Sequence, residues 1–298
     1  MKSFLARFLF ISSLLGTNDL YSQGLFPEVL VKFTPLVNGP IFSGTQMNTW
    51  DEQIRERGFI LKEKNTYHLW FTGYSKNRNI MNLGYATSKD GIHWNRHAAN
   101  PIQSESWIED VFVIKKGKQY FMFAEGKGDT THLLVSQNKI KWKELGNLKI
   151  YQTNGKPIKP GAFGTPCVIY TKGNYYLFYE RDDQGIWLAK SKNLKDWVNV
   201  QDNPVLKMGP ETYDKFGVAM NHVIQYKGLY YGYYHATAYQ DWREWSSNVA
   251  VSKDLIHWTK YPDNPLVGNN QSSNIIVPFG NKFRMYTMHA QVHVYQSK

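Results

Sequence analysis

The sequence predicts an all-β chain, a five-bladed β-propeller, and three observations carry that prediction. An aromatic strand-turn-strand meander recurs along the chain, four of its copies close on a tryptophan, and a shortened fifth copy ends the sequence. The clearest copy is GNYYLFYERDDQGIWLAKSKNLKDW at 173–197. Residues 175–179 and 185–190 read as strands and 196–197 opens a third, separated by the polar turns 181–184 and 192–195. Tyr, Phe, Trp, Ile and Leu suit a half-buried pleated surface, whereas Asp, Asn and Gly suit tight reversals.

Related copies occupy 65–94, 117–142 and 228–258. Each ends in a serine, a polar turn and a tryptophan: Ser88 to Trp94, Ser136 to Trp142, Ser191 to Trp197 and Ser252 to Trp258. The tryptophans lie 48, 55 and 61 residues apart. A repeat of that size built from strands alone points to a radial array of blades. A helical solenoid would need apolar residues at three- and four-residue spacing over long glycine-free runs, and the sequence has none. The last copy, 274–295, offers three strands and no closing tryptophan. Its outer strand is expected from the N-terminal side, near 29–33, which would join first and last blades and leave no free sheet edge. The count falls to four if the last strands are only a cap.

Ahead of the repeats, Lys2 and Arg7 precede the apolar run 8–15 and a polar segment ending Tyr21-Ser22-Gln23. That order reads as a secretory signal peptide over 1–23, too short to span a bilayer. Residues 24–298 then form one domain, with no linker or further membrane segment, expected in a bacterial periplasm or outside the cell. The single cysteine, Cys167, lies in an apolar run and reads as a buried structural thiol. The formal charge of +11 falls to about +10 without the leader and favours anionic partners, acidic polysaccharide before nucleic acid. No nucleic-acid-binding motif is visible. Oligomeric state is not legible.

In a propeller, residues that start the innermost strands and residues that end the next strands share one face of the disc. The first set comprises Asp51, Glu52, Arg55, Glu56 and Arg57; then Glu109 and Asp110; then Gly164-Thr165-Pro166; then Asn221-His222; and finally Ser272-Ser273-Asn274. The second set is Thr72, Glu125, Glu180, His235 and His289, polar endings to strongly apolar runs such as FMFAE and YLFYE. Recurrence of carboxylate and imidazole in one register predicts a shared pocket. Paired carboxylates suit glycoside chemistry, in which one protonates the leaving oxygen while another activates water or attacks the anomeric carbon. Crowding keeps one of them protonated. Arg55 and Arg57 have the planar fork that clamps an anionic group.

The repeated aromatic hairpins ending in S-x-D-x-x-x-W resemble the five-bladed propeller glycosidases, a group that includes the arabinanase/xylosidase family 43, the invertase/inulinase family 32 and the neoagarooligosaccharide hydrolase family 117. The resemblance implies essential carboxylates near inner-strand starts. In the first blade that residue is Asp51 or Glu56, and in the second Asp110, with Glu109 beside it. Where families 43 and 32 carry an acid glutamate in the third blade, this chain has Gly164-Thr165-Pro166. The proton donor is then expected from Glu180 first, Glu211 second and His222 third. Arg55, Arg57, Glu125, His222, His235 and His289 are the expected substrate-binding groups. No spacing suggests zinc, so neither metal nor cofactor is expected. Trp242 and Trp245 either stack on a sugar or pack their loop. The expected activity is glycoside hydrolysis at chain ends, with a phosphorylase of similar fold or a non-catalytic carbohydrate-binding propeller as alternatives.

Overall fold

The computed structural model describes residues 24–76 and 80–298, so the expected leader at 1–23 lies outside the described residues. Blade 1 runs outward from Phe59–Glu63 through Thr66–Tyr74 and Asn82–Ser88 to Asn95–Arg96. Blade 2 comprises Glu109–Lys116, Gln119–Gly126, Thr130–Ser136 and Lys143–Asn147. Blade 3 comprises Gly164–Thr171, Asn174–Glu180, Gly185–Ser191 and Asp196–Asn199. Blade 4 comprises Gly217–Tyr226, Leu229–Thr237, Ser246–Ser252 and Trp258–Lys260. Blade 5 comprises Ile275–Phe279, Lys282–Met288 and Gln291–Ser297, and takes its fourth strand, Phe33–Pro35, from the N-terminal side. The innermost strands adjoin in cyclic order. The chain is a five-bladed β-propeller.

The seam pairs Phe33 with Ser297 and Pro35 with Tyr295. It begins later than the sequence suggests, because Glu28–Val31 is a single helical turn. Pro27 has no N–H to give a sheet and precedes the helix. Consecutive Leu30 and Val31 are both buried, which a strand with alternating faces would not allow. Tyr233 and Tyr231 of blade 4 donate to the Leu30 and Leu25 carbonyls, both at 2.9 Å, and tie this segment down.

The serine-to-tryptophan stretch of each copy is the outer corner of a blade. In all four, the serine hydroxyl accepts from the backbone N–H two and three residues on, as Ser252 does from Asp254 and Leu255 at 3.2 and 2.9 Å. The following Asp or Asn accepts from the next two N–H groups, as Asp254 does from Ile256 and His257 at 2.9 and 2.8 Å. The residue after it is left-handed in every copy: Gly91, Lys139, Leu194 and Leu255. Glycine appears once, at 91, where a Cβ would meet the Tyr286 hydroxyl of blade 5 at 2.4 Å. From blade 2 to blade 4, each closing tryptophan packs edge-on against an aromatic ring of the preceding blade: Trp142 on Trp70, Trp197 on Phe123 and Trp258 on Phe178. The repeated motif is therefore the contact between blades.

Arg57 holds the centre. Its backbone N–H reaches the Met288 carbonyl of blade 5 at 3.1 Å. Its guanidinium reaches Met220 O of blade 4 at 3.2 Å, Pro166 O of blade 3 at 3.0 Å and the Asp110 carboxylate of blade 2 at 3.6 Å. One residue from blade 1, through its backbone and its side chain, thus touches the other four blades. Among the described residues, no helix is long and apolar enough to cross a membrane.

Candidate active site

Three of the inner strands start with a residue forced out of the alternating pleat. The registers of blades 2, 3 and 4 slip between Glu109 and Phe112, between Gly164 and Cys167, and between Met220 and His222. Asp110, Thr165 and Ser273 take left-handed φ of 49°, 51° and 56° at equivalent points of blades 2, 3 and 5. A bulge of this kind bends the strand and re-aims a side chain, and left-handed non-glycine backbone costs of order 1–3 kcal/mol. The result is a cavity of about 470 Å³ at the mouth of the disc, lined by groups from all five blades.

Of the expected site residues, Arg55, Glu56, Asp110, Glu125, Glu180, His235 and His289 line this cavity. The endings of the second strands therefore converge, apart from Thr72, which is buried and donates to the Ile108 carbonyl at 3.1 Å. Glu109 stands behind the wall, accepting from Trp107 at 2.8 Å and from Arg55 Nε at 3.1 Å, and so orients Arg55. Arg57 likewise stands behind Asp110, buried and outside the cavity lining.

Three further expected site residues lie outside the cavity lining. Asp51 is buried in an ion pair with Arg96 at 2.9 Å and accepts from Thr49 at 3.0 Å, so its lone pairs are committed away from the mouth. Glu211 is exposed at the start of the short helix Thr212–Asp214, outside the cavity lining. His222 sits between Phe59 and Phe112 with Nδ1 accepting from the Ile276 N–H at 3.1 Å. Burial holds His222 to a pKa of about 4, leaving it a neutral structural imidazole.

Sequence reasoning missed Asp129, and read Asp182 and Asp183 only as part of the polar turn 181–184; all three line the cavity. Both central residues of the turn 181–184 are left-handed, Asp182 at 51° and Asp183 at 52°, the geometry of a type I′ hairpin. Such turns normally use Asn-Gly, and this strained Asp-Asp swings Asp183 back toward the pocket. Its N–H donates to Glu180 Oε2 at 2.7 Å. Two aspartates where glycine is the cheap choice is the signal that could have found it.

The third-blade position that lacks an acid has a physical reason to be glycine. A Cβ on Gly164 would fall 2.0 Å from Glu125 Oε2 and 2.8 Å from Glu180 Oε1. Those two carboxylates, from blades 2 and 3, occupy the space themselves. Glu125 accepts from the Thr165 N–H at 2.9 Å and Glu180 from the Gly164 N–H at 3.2 Å.

Electrostatics follow from this crowding. Burial, opposed by Arg57 and reinforced by Glu109 and Glu56, pushes Asp110 up to about 8. Burial also raises Glu125 well above the carboxylate range, helped by Asp110 and Glu109, and raises Asp183, helped by Glu180. Glu180 rises by burial against two backbone hydrogen bonds. His235 is driven well below the usual histidine value by burial and by Arg57. Its Nδ1 lies 2.9 Å from the Asn221 amide, and Trp245 packs edge-on at 4.8 Å. Trp242, 47% exposed, stands at the rim beside Trp245. Oxygens of Glu109, Glu125 and Asp129 approach within 4.8 Å of one another, but three carboxylates alone do not define a cation site.

No family model matches the chain. A 1,2-β-oligomannan phosphorylase of Thermoanaerobacter sp. (strain X514) is 25% identical over 226 residues, covering 70% of this chain and 72% of that protein. The β-1,2-mannobiose phosphorylase of Listeria innocua, solved with β-1,2-mannobiose, superposes with a TM-score of 0.71 at 15% identity, over 90% of this chain and 97% of that one. A structure from the GH130 family of mannoside phosphorylases, a family stated to contain glycoside hydrolases that target β-1,2 mannosidic linkages in Candida mannan, superposes with a TM-score of 0.68 at 14% identity, over 89% and 93% of the two chains. The structural matches establish the shared fold.

Proposed function

We propose that this chain is a glycoside hydrolase that removes sugar from the end of a β-linked mannoside, with Asp110 as proton donor. The substrate class comes from the relatives. The reaction comes from the pocket. Asp110 is a buried acid at the mouth whose pKa of about 8 keeps its proton at neutral pH. It can protonate the glycosidic oxygen as the C–O bond breaks. Glu56, which also lines the pocket and lies 3.0 Å from Arg55 Nη2 and 3.3 Å from His289 Nδ1, takes a proton from the water that attacks the anomeric carbon. Direct attack by water inverts that carbon. The neighbouring acids Glu125, Glu180 and Asp183 are hydrogen-bond partners for sugar hydroxyls.

The observation that carries hydrolysis over transfer to phosphate is the carboxyl-rich lining of the cavity. Glu56, Asp110, Glu125, Asp129, Glu180, Asp182 and Asp183 line it, against one guanidinium, Arg55, which is already paired with Glu56 and Glu109 at 3.0 and 3.1 Å. A phosphate dianion is poorly placed among such groups. Phosphorolysis is the second reading, and the names of the relatives favour it over hydrolysis. Incubating the purified chain with β-1,2-mannobiose and longer oligomers, with and without inorganic phosphate, tests both. Free mannose at a rate indifferent to phosphate is the expected result. Sugar phosphate, formed only when phosphate is added, would replace hydrolysis by the second reading. We further propose that the protein acts after export, and mature protein recovered outside the cytoplasm should begin near Gly24.

A further inference from the structure

The end of the disc away from the mouth is made of turns, and its charge is opposite to that of the mouth. There each innermost strand is joined to the next by a two-residue hairpin: 64–65, 117–118, 172–173, 227–228 and 280–281. Such hairpins need a left-handed first residue, for which Gly, Asn and Asp are the cheap choices. This chain uses lysine. Lys64, Lys172 and Lys227 take φ of 51°, 49° and 46°, Lys118 follows the left-handed Gly117, and Lys282 directly follows the fifth turn. None of the five turns contains an acid. A left-handed lysine is strained, and the turn by itself does not call for one.

The outer corners face the same way. Lys89 Nζ of the first corner donates to Thr66 Oγ1 beside the first hairpin at 3.2 Å, and Lys192 Nζ of the third donates to the Gly173 carbonyl at 2.7 Å. Glu63, an acid on this side, is already neutralised by Lys115 and Lys139 at 2.5 and 2.9 Å. Lys64, Lys118, Lys172 and Lys227 are exposed and have no ion-pair partner among the described residues. Two exposed rings stand beside the turns, Tyr170 at 62% and Phe279 at 37%. Lys62 Nζ lies 5.2 Å from the centre of the Phe279 ring.

We propose that this face docks the protein on an anionic lipid surface, with the mouth turned outward. A polyanionic chain is held by a groove that tracks it. Lysines at the tips of turns around a ring, with aromatic side chains among them, fit a plane instead. Lysine stems and aromatic rings settle at the boundary of headgroups and acyl chains, and each lysine adds to the attraction within a Debye length of the surface. The same surface repels the carboxyl-rich mouth, so the charge reversal along the axis fixes the orientation. The inference does not depend on whether water or phosphate accepts the sugar.

The test is flotation of the mature protein with vesicles of phosphatidylcholine alone or with about one-third phosphatidylglycerol. Binding to the anionic vesicles only is expected, and it should be lost in about 0.5 M salt. Lys64→Asn/Lys172→Asn/Lys227→Asn gives the left-handed positions a residue suited to them, so it should bind at least tenfold more weakly yet melt no lower than the wild type. Lys127→Gln/Lys207→Gln/Lys215→Gln removes the same charge at the mouth end and should change binding by about twofold at most. Binding indifferent to phosphatidylglycerol, or equal losses in the two triple variants, overturns the proposal. If the first variant melts too low to assay, Lys118→Gln/Lys282→Gln, changed where the backbone is not left-handed, must itself weaken binding, and undiminished binding overturns the proposal. Capture by alginate without any binding to vesicles also overturns it and assigns the face to an acidic polysaccharide.

Discussion

The outer corners of the blades and the mouth of the disc are built from the same repeated chain, with opposite results. At each corner one serine and one Asp or Asn accept from four N–H groups of the turn, and in blades 2–4 the tryptophan ring covers the seam to the preceding blade. Asp254 is held well below the usual carboxylate range by bonds from the turn it organises, including one from His257. At the mouth, carboxylates face one another, Asp110 and Glu125 are pushed upward, and the Ser273 hydroxyl has no partner among the described residues. Sites where local rules are broken without local gain are the ones expected to do chemistry. The repeat thus stabilises the ring, and its departures from regularity equip the pocket.

The sharpest break in that comparison is Asp110→Asn. It should lower kcat by about 10²–10⁴-fold, the range for losing a general acid, while circular dichroism stays native. The wild-type rate should fall as pH rises through about 8, where Asp110 gives up its proton. A variant with full activity would remove Asp110 from the chemistry.

Arg57→Ala should instead act on the ring. Leaving Asp110 and two carbonyls without their buried cation is expected to cost about 3–5 kcal/mol, read as a lower urea midpoint. Smaller effects come from the corners and the walls. Asp254→Ala should cost about 1 kcal/mol and leave kcat/KM unchanged, because its lost bonds lie at the exposed rim.

Glu125→Gln is expected to stabilise. A carboxyl whose folded pKa is raised contributes stability below its unfolded value, and that contribution is lost as pH climbs toward the folded one. Replacement should therefore raise Tm at pH 8, by about 2–4 °C, with a smaller gain at pH 5. A gain that grew toward acid pH would contradict the crowding described for the mouth.

The fold was legible because each copy carries its own punctuation: serine, polar pair, tryptophan. The site was legible only where it followed the same register, so that Glu125, Glu180, His235 and His289 could be aligned from strand endings. His222 misled because the register slip between Met220 and His222 breaks the two-residue alternation, and sequence does not show which way such a residue then points. Asp51 turns toward Arg96 and His222 toward Ile276. Asp129 lies in a loop whose only marker, a left-handed φ of 55°, is invisible without coordinates.

The seam between Phe33–Pro35 and Gln291–Ser297 sets a schedule for synthesis. A chain emerging from the ribosome makes one half of the clasp almost at once and its other half some 260 residues later. Until then blade 5 does not exist, Arg57 lacks the carbonyl of Met288, and the mouth has neither His289 nor Ser273. Catalytic competence and circular closure therefore arrive together, with the final hairpin.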